Sequence, residues 1–123
     1  MSWYIEVEAA RKITAKYGKC RLCGEELRGR TAYYFPSSRL AICTTHRAYV
    51  VVYEFVSGTH TYQSVCSVHP TKEEAEAEAE RLNRTMASHT ARTFRSYTYM
   101  SLDSYLRLRT RSGEIEAEED RYL

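Results

Sequence analysis

The chain has 123 residues, 43% of them hydrophobic, and a net charge of +2 from 18 Lys and Arg against 16 Asp and Glu. A chain of this length is expected to form one domain with a modest core of its own, so no metal or disulfide is required merely to make folding possible. It has no apolar run near the ~20 residues of a membrane helix, and its first residues lack the basic-then-apolar order of a secretion signal. These features predict a soluble protein of the cytoplasm, or of the host cytoplasm if a virus encodes it. In such a reducing compartment, paired cysteines point to metal or redox chemistry before disulfides.

The charge is unevenly spread. Residues 1–50 carry nine Lys and Arg against four Glu, residues 92–111 carry five Arg against Asp103, and residues 112–120 carry only acidic charges. Taken along the chain, residues 2–9 alternate Trp3, Ile5 and Val7 with Tyr4, Glu6 and Glu8, the pattern of a half-buried strand. A second strand is expected over 13–17, a third over 30–35, a turn at Pro36, Ser37 and Ser38, and a short return over 40–42. Residues 47–56 are the most β-prone stretch; with a turn over 57–59 and a returning strand over 61–68 they predict a hairpin.

Pro70 then stops the strand and Thr71 with Glu74 forms a capping box, predicting a helix over about 72–88. Ala75, Ala79, Leu82 and Met86 give it a narrow apolar face, while Glu76, Glu80 and Arg84 form a polar stripe with a Glu80–Arg84 ion pair. A further strand is expected over 93–100. Residues 105–111 and 114–118 read as a hairpin about Ser112 and Gly113, placing Arg107, Arg109 and Arg111 opposite Glu118, Glu116 and Glu114. A helix over 102–109 and a disordered acidic tail from Glu114 are the competing readings of this end. Together the elements predict an α+β domain, mostly one antiparallel sheet with the 72–88 helix on one face. A zinc-finger insertion at 20–46 would project from the sheet or cap its edge.

Chemistry is concentrated in three pairs, Cys20 with Cys23, Cys43 with His46, and Cys66 with His69, which use all four cysteines. Two such turns can enclose zinc tetrahedrally, because thiolate and imidazole suit a borderline-soft ion with no d-electron preference. Cys20, Cys23, Cys43 and His46 are the predicted ligands, and a shell of four protein groups marks a structural ion, not a catalytic one. The segment Cys20-Arg21-Leu22-Cys23-Gly24-Glu25-Glu26-Leu27 resembles the C-x2-C-G-x-x-L knuckle of zinc ribbons and treble-clef fingers, with Cys43 and His46 as the second half. That resemblance spans residues 20–46 and implies a zinc-bound finger without specifying an activity. A second ion held by Cys66, His69, His60 and His89 is a further candidate, and pairing Cys20 and Cys23 with Cys66 and His69 is another.

Between the finger's two halves, Arg28, Arg30, Tyr33, Tyr34 and Arg39 combine cations with aromatic rings, as a surface gripping phosphates and stacking on bases does. Arg92, Arg95 and Arg107 are secondary candidates. No glycine-rich phosphate loop, no H-E-x-x-H and no placed nucleophile with its base is present, so an enzyme is not expected. Two functional classes follow. One is a small nucleic-acid-binding or transcription-associated protein. The other is a protein-binding regulator or inhibitor, of the kind viral and mobile-element genomes encode, using its tyrosine-rich strands as the contact surface.

Overall fold

A computed structural model of the chain describes residues 4–86, 95–108 and 111–112. It is an α+β fold of two sheets. Strands β1 (Tyr4–Val7), β5 (Tyr49–Ser57), β6 (His60–His69), β7 (Arg95–Ser101) and the short β8 (Arg111–Ser112) form the larger sheet, in the order β7-β5-β6-β1-β8. Strands β2 (Arg11–Thr14), β3 (Thr31–Phe35) and β4 (Leu40–Cys43) form a separate three-stranded sheet. Pairing is antiparallel except where β1 runs parallel to β6. The helices are α1 (Lys72–Met86) and the short α2 (Leu102–Leu106).

The β5–β6 hairpin is the centre of the molecule. Val50, Val51 and Val52 follow one another and are all fully buried. Successive strand residues face opposite sides, so a fully buried run demands a cover on both faces. Val51 meets Ala75 and Ala79 of α1, whose small side chains let the helix lie close to the sheet. Val50 and Val52 join Val65, Val68, Leu27, Phe35 and Ile42 on the other face. The three-stranded sheet therefore packs against a face of the larger one; it neither projects nor caps an edge as the sequence suggested. Two buried apolar faces, one from each sheet, can only be removed from water by this stacking.

One irregularity sets the facing of β6. Val51 pairs with Ser67 while Val52 pairs with Val65, so Cys66 is an extra, bulged residue. Val65 and Val68 are three apart and would otherwise face opposite sides; the bulge turns both into the inter-sheet core. Cys66 itself packs on the α1 side.

Several expectations shift. The second strand occupies Arg11–Thr14, not 13–17, because the chain leaves the β3 ladder after Thr14 pairs with Thr31. It turns through Gly18, which has φ of 104°. The Thr71 cap forms, with the Glu74 amide donating to Thr71 Oγ1 at 3.2 Å. Arg81 pairs with Glu78 on α1, whereas no Glu80–Arg84 pair forms among the described residues. Tyr105 and Leu106 lie in α2, so they do not open a strand, and the acidic half of the expected hairpin lies outside the described residues. Ser101 caps α2, its hydroxyl accepting from the Ser104 amide at 3.1 Å.

Two polar anchors tie these layers together. Glu8 follows β1; its amide donates to the Gln63 carbonyl at 2.8 Å, and its carbonyl accepts from the Tyr105 hydroxyl. Its carboxylate accepts from the Ser37 amide at 3.2 Å and the Tyr62 hydroxyl at 3.2 Å, so one residue joins β6, α2 and the β3–β4 turn. Asn83 of α1 covers the free edge of β7. Its amide group donates to the Tyr97 carbonyl at 2.8 Å and accepts from the Tyr97 amide at 2.9 Å.

Replacing Asn83→Ala removes both of those bonds and bares an edge strand. Urea unfolding should show a loss of about 1–3 kcal/mol with an unchanged m-value. Tyr105→Phe, which leaves the Glu8 carbonyl without its donor, should cost about 1–2 kcal/mol in the same assay.

Candidate metal centre

The sequence between β2 and β3 folds into a tight knuckle. The backbones of Lys19 and Glu26 form an isolated antiparallel β-bridge, the Cys20 amide donates to the Glu25 carbonyl at 2.8 Å, and the Gly24 amide donates to the Cys20 carbonyl at 2.9 Å. Gly24 takes φ of 75°, a left-handed conformation that glycine adopts without strain, and so turns the chain directly after Cys23. Cys43 ends β4, and His46 follows three residues later. The Arg21 amide donates to the Ala41 carbonyl at 2.9 Å, docking the knuckle on β4 and bringing the two ligand pairs face to face.

The result is a Cys3His cluster. One ligand atom from each of Cys20, Cys23, Cys43 and His46 lies within 4.8 Å of all the others. Cys20 Sγ is 3.3 Å from His46 Nε2, and Cys23 Sγ is 3.8 Å from Cys43 Sγ. For bond lengths of about 2.3 Å to sulfur and 2.0–2.1 Å to nitrogen, tetrahedral edges come to roughly 3.5–3.8 Å. The donor set and its spacing therefore suit a four-coordinate ion. Cys20 and Cys43 are buried, His46 is half-buried and Cys23 is exposed, so the cluster faces solvent on one side only.

Local electrostatics favour a thiolate at Cys20. Burial opposes its ionisation, but the amides of Cys43, Cys23 and Leu22 outweigh burial and lower its pKa to about 6. Two of these donors, the Leu22 and Cys43 amides, each lie 3.4 Å from Cys20 Sγ. Cys43 moves the other way, to about 11, because it is buried and faces the sulfurs of Cys20 and Cys23. Like charges brought this close stay ionised together only when a cation lies between them.

The third pair does not join in. His60 and His69 occupy opposite ends of the ten-residue strand β6, separated by roughly 30 Å. His60 stacks near Tyr4, with ring centroids 5.0 Å apart, and His69 Nε2 lies 2.9 Å from Ser67 Oγ. That Ser–His contact follows from two residues sharing one strand face at i and i+2. Cys66 packs beside Val51, Ala75 and Ala79, and burial pushes its thiol up. His89 lies outside the described residues. Among the described residues, no other group of three or more His, Cys, Asp or Glu side chains gathers around one point.

The suggested nucleic-acid residues are split by the fold. Arg30 is engaged with Glu25 at 2.8 Å, and Arg28 stands exposed on the turn before β3. Tyr33 packs against the core, whereas Tyr34, its neighbour, lies half-buried on the opposite face of the small sheet. Arg39 is exposed at the β3–β4 turn. Arg95 lies over the Phe55 ring at 5.4 Å, Arg107 is exposed, and Arg92 lies outside the described residues. Sequence reasoning overlooked Lys16, Tyr17 and Lys19, which share a cleft with Tyr34 and Arg39. The signal was Lys12, Lys16 and Lys19, three of the four lysines within eight residues, masked by treating 13–17 as strand.

Native mass spectrometry of the purified chain should show one bound ion, lost on prolonged chelation. Cys20→Ser should abolish retention while Cys66→Ser leaves it intact; an ion retained by the first variant, or lost from the second, would contradict this ligand set.

No protein-family model, no curated protein and no solved structure matches the chain.

Proposed function

We propose that the chain is a small nucleic-acid-binding protein, without catalytic activity of its own, in which a structural zinc ion holds the three-stranded sheet in a binding-competent shape. The observation that supports the metal-binding part of this reading is the Cys3His cluster, with its four ligand atoms within 4.8 Å of one another. Cys20, Cys23, Cys43 and His46 would hold the ion, and three sulfurs with one imidazole favour zinc over the oxygen-seeking cations. Zinc bound here contributes folding free energy, because its ligands come from two separate turns that the ion must bring together. Four protein donors complete a tetrahedral shell, leaving no open position for a substrate or a reactive water.

The resemblance of residues 20–46 to zinc-ribbon and treble-clef knuckles supports the same assignment. Support for nucleic acid comes from the excess of nine cations over four carboxylates in residues 1–50 and from the exposed Tyr17 among them. No described helix is long and apolar enough to cross a membrane.

A protein-binding regulator is the second reading. It is favoured by the aromatic end of the larger sheet, where Tyr53 and Tyr97 lie 5.3 Å apart beside Arg95 and Phe55. Tyrosine and arginine are enriched at protein interfaces.

Fluorescence anisotropy against mixed-sequence oligonucleotides separates the two. Nucleic-acid binding should weaken steeply between ~50 and ~200 mM salt, as released counterions require. Negligible binding even at the lowest salt would exclude the first reading in favour of the second.

A further inference from the structure

A concave surface lies on the face of the small sheet that carries Tyr34 and Ala41. It has a volume of about 650 Å³ and is walled by Lys16, Tyr17 and Lys19 on one side and Tyr34, Arg39 and Ala41 on the other. No carboxylate is among its lining residues. Lys16, Lys19 and Arg39 are all exposed, and Tyr17 is 86% exposed, the most exposed large apolar side chain described.

Two features show that this surface is maintained against local preference. Removing Tyr17 from water would gain free energy, yet none of the described residues covers it. Arg39 holds φ of 58°, the only described non-glycine residue in the left-handed region, where an arginine is strained and a glycine is not. Its amide donates to the Phe35 carbonyl at 2.8 Å, so the turn imposes the conformation and the side chain accepts the strain.

The groove is also mechanically tied to the metal centre. Lys19 immediately precedes Cys20, and Ala41 stands two residues before Cys43 on β4. The Arg21 amide donates to the Ala41 carbonyl at 2.9 Å and pins the two walls together.

We infer that this groove is the seat of a single-stranded nucleic acid, with Lys16, Lys19 and Arg39 along its phosphates and the rings of Tyr17 and Tyr34 available to unpaired bases. The inference rests on the nucleic-acid reading above and deepens it. Clustered cations select a polyanion, and the exposed ring of Tyr17 selects the kind of polyanion that has free base faces. A duplex hides those faces within its stack, so stacking on Tyr17 has a partner only on an unpaired strand.

The test uses the full, metal-loaded chain and a fluorescent mixed-sequence strand of roughly 12 nucleotides, with a duplex of equal length and a polyglutamate peptide as comparison probes. Tyr17→Ala removes a ring that packs on nothing, so it should keep the wild-type Tm and weaken single-strand binding about tenfold, the scale of one lost base stack. Arg39→Gly should keep or raise the Tm by relieving the left-handed strain, yet weaken binding. Combined with Lys16→Ala and Lys19→Ala, it should make the salt slope shallower by about 2, at ~0.7 per phosphate contact on a single strand. Arg28→Ala with Arg30→Ala should change neither quantity appreciably.

The result that overturns this location is strong oligonucleotide binding lost in the Arg28 and Arg30 variant and kept in the groove variants; the broader nucleic-acid reading would then survive. Equal binding of duplex and single strand, indifferent to Tyr17→Ala, would overturn the single-strand assignment. Groove-dependent capture of polyglutamate without any oligonucleotide binding would assign the surface to an acidic protein segment instead. Absence of binding to every probe at low salt would remove both this inference and the reading it rests on.

Discussion

The architecture depends on three consecutive valines. Val50, Val51 and Val52 are fully buried, and because they alternate in facing, β5 must be covered on both sides. Each fully buried valine contributes roughly 1.5–3 kcal/mol relative to exposure, so neither face can be left bare at small cost. Helix α1 supplies one cover through Ala75 and Ala79, and the small sheet supplies the other through Leu27, Phe35 and Ile42. The bulge at Cys66 belongs to the same requirement, since it sends Val65 and Val68 to the same core.

That requirement explains where the Cys3His cluster sits. A three-stranded sheet of some thirty residues is near or below the ~40 residues at which a domain can bury enough surface to stand alone. It is held from two directions. The inter-sheet core buries Ile42 and Phe35, with Tyr105 of α2 set edge-on to Phe35 at 6.5 Å. At the knuckle, the ligand cluster draws the loop before β3 onto the end of β4. Cys20 and Cys43 are members of the core as well as of the ligand set, so packing and coordination support one arrangement. Under the proposed function the same cluster also positions the groove, because Lys19 directly precedes Cys20 and Ala41 stands two residues before Cys43.

What could be read early was local. The hairpin was legible because a β-branched run, a Ser57-Gly58-Thr59 turn and a second β-prone run are contiguous. Helix α1 was legible because its cap, its acidic first turn and its apolar spacing fall within fifteen residues. The first ligand set was legible because metal coordination imposes a spacing that survives without knowledge of the fold. Reading failed where the outcome hinged on distant partners. Cys66 and His69 match the ligand spacing as well as Cys43 and His46 do, yet β6 is a continuous strand that carries His60 to its far end. Tyr33 and Tyr34 are indistinguishable by composition, and only the sheet decides that one faces the core and the other the groove.

The sequence by itself determined the β5–β6 hairpin and helix α1, and which four side chains are suited to one metal ion. Both are set by interactions between residues close along the chain, or by donor chemistry that tolerates few alternatives. Tertiary structure alone decided that β1 runs parallel to β6, that the small sheet covers a face, and that Cys66 is packed instead of ligating. It also decided that Lys16, Tyr17, Lys19, Tyr34 and Arg39 share one surface. These juxtapositions arise from burying both faces of β5 at once, a condition that no local pattern records.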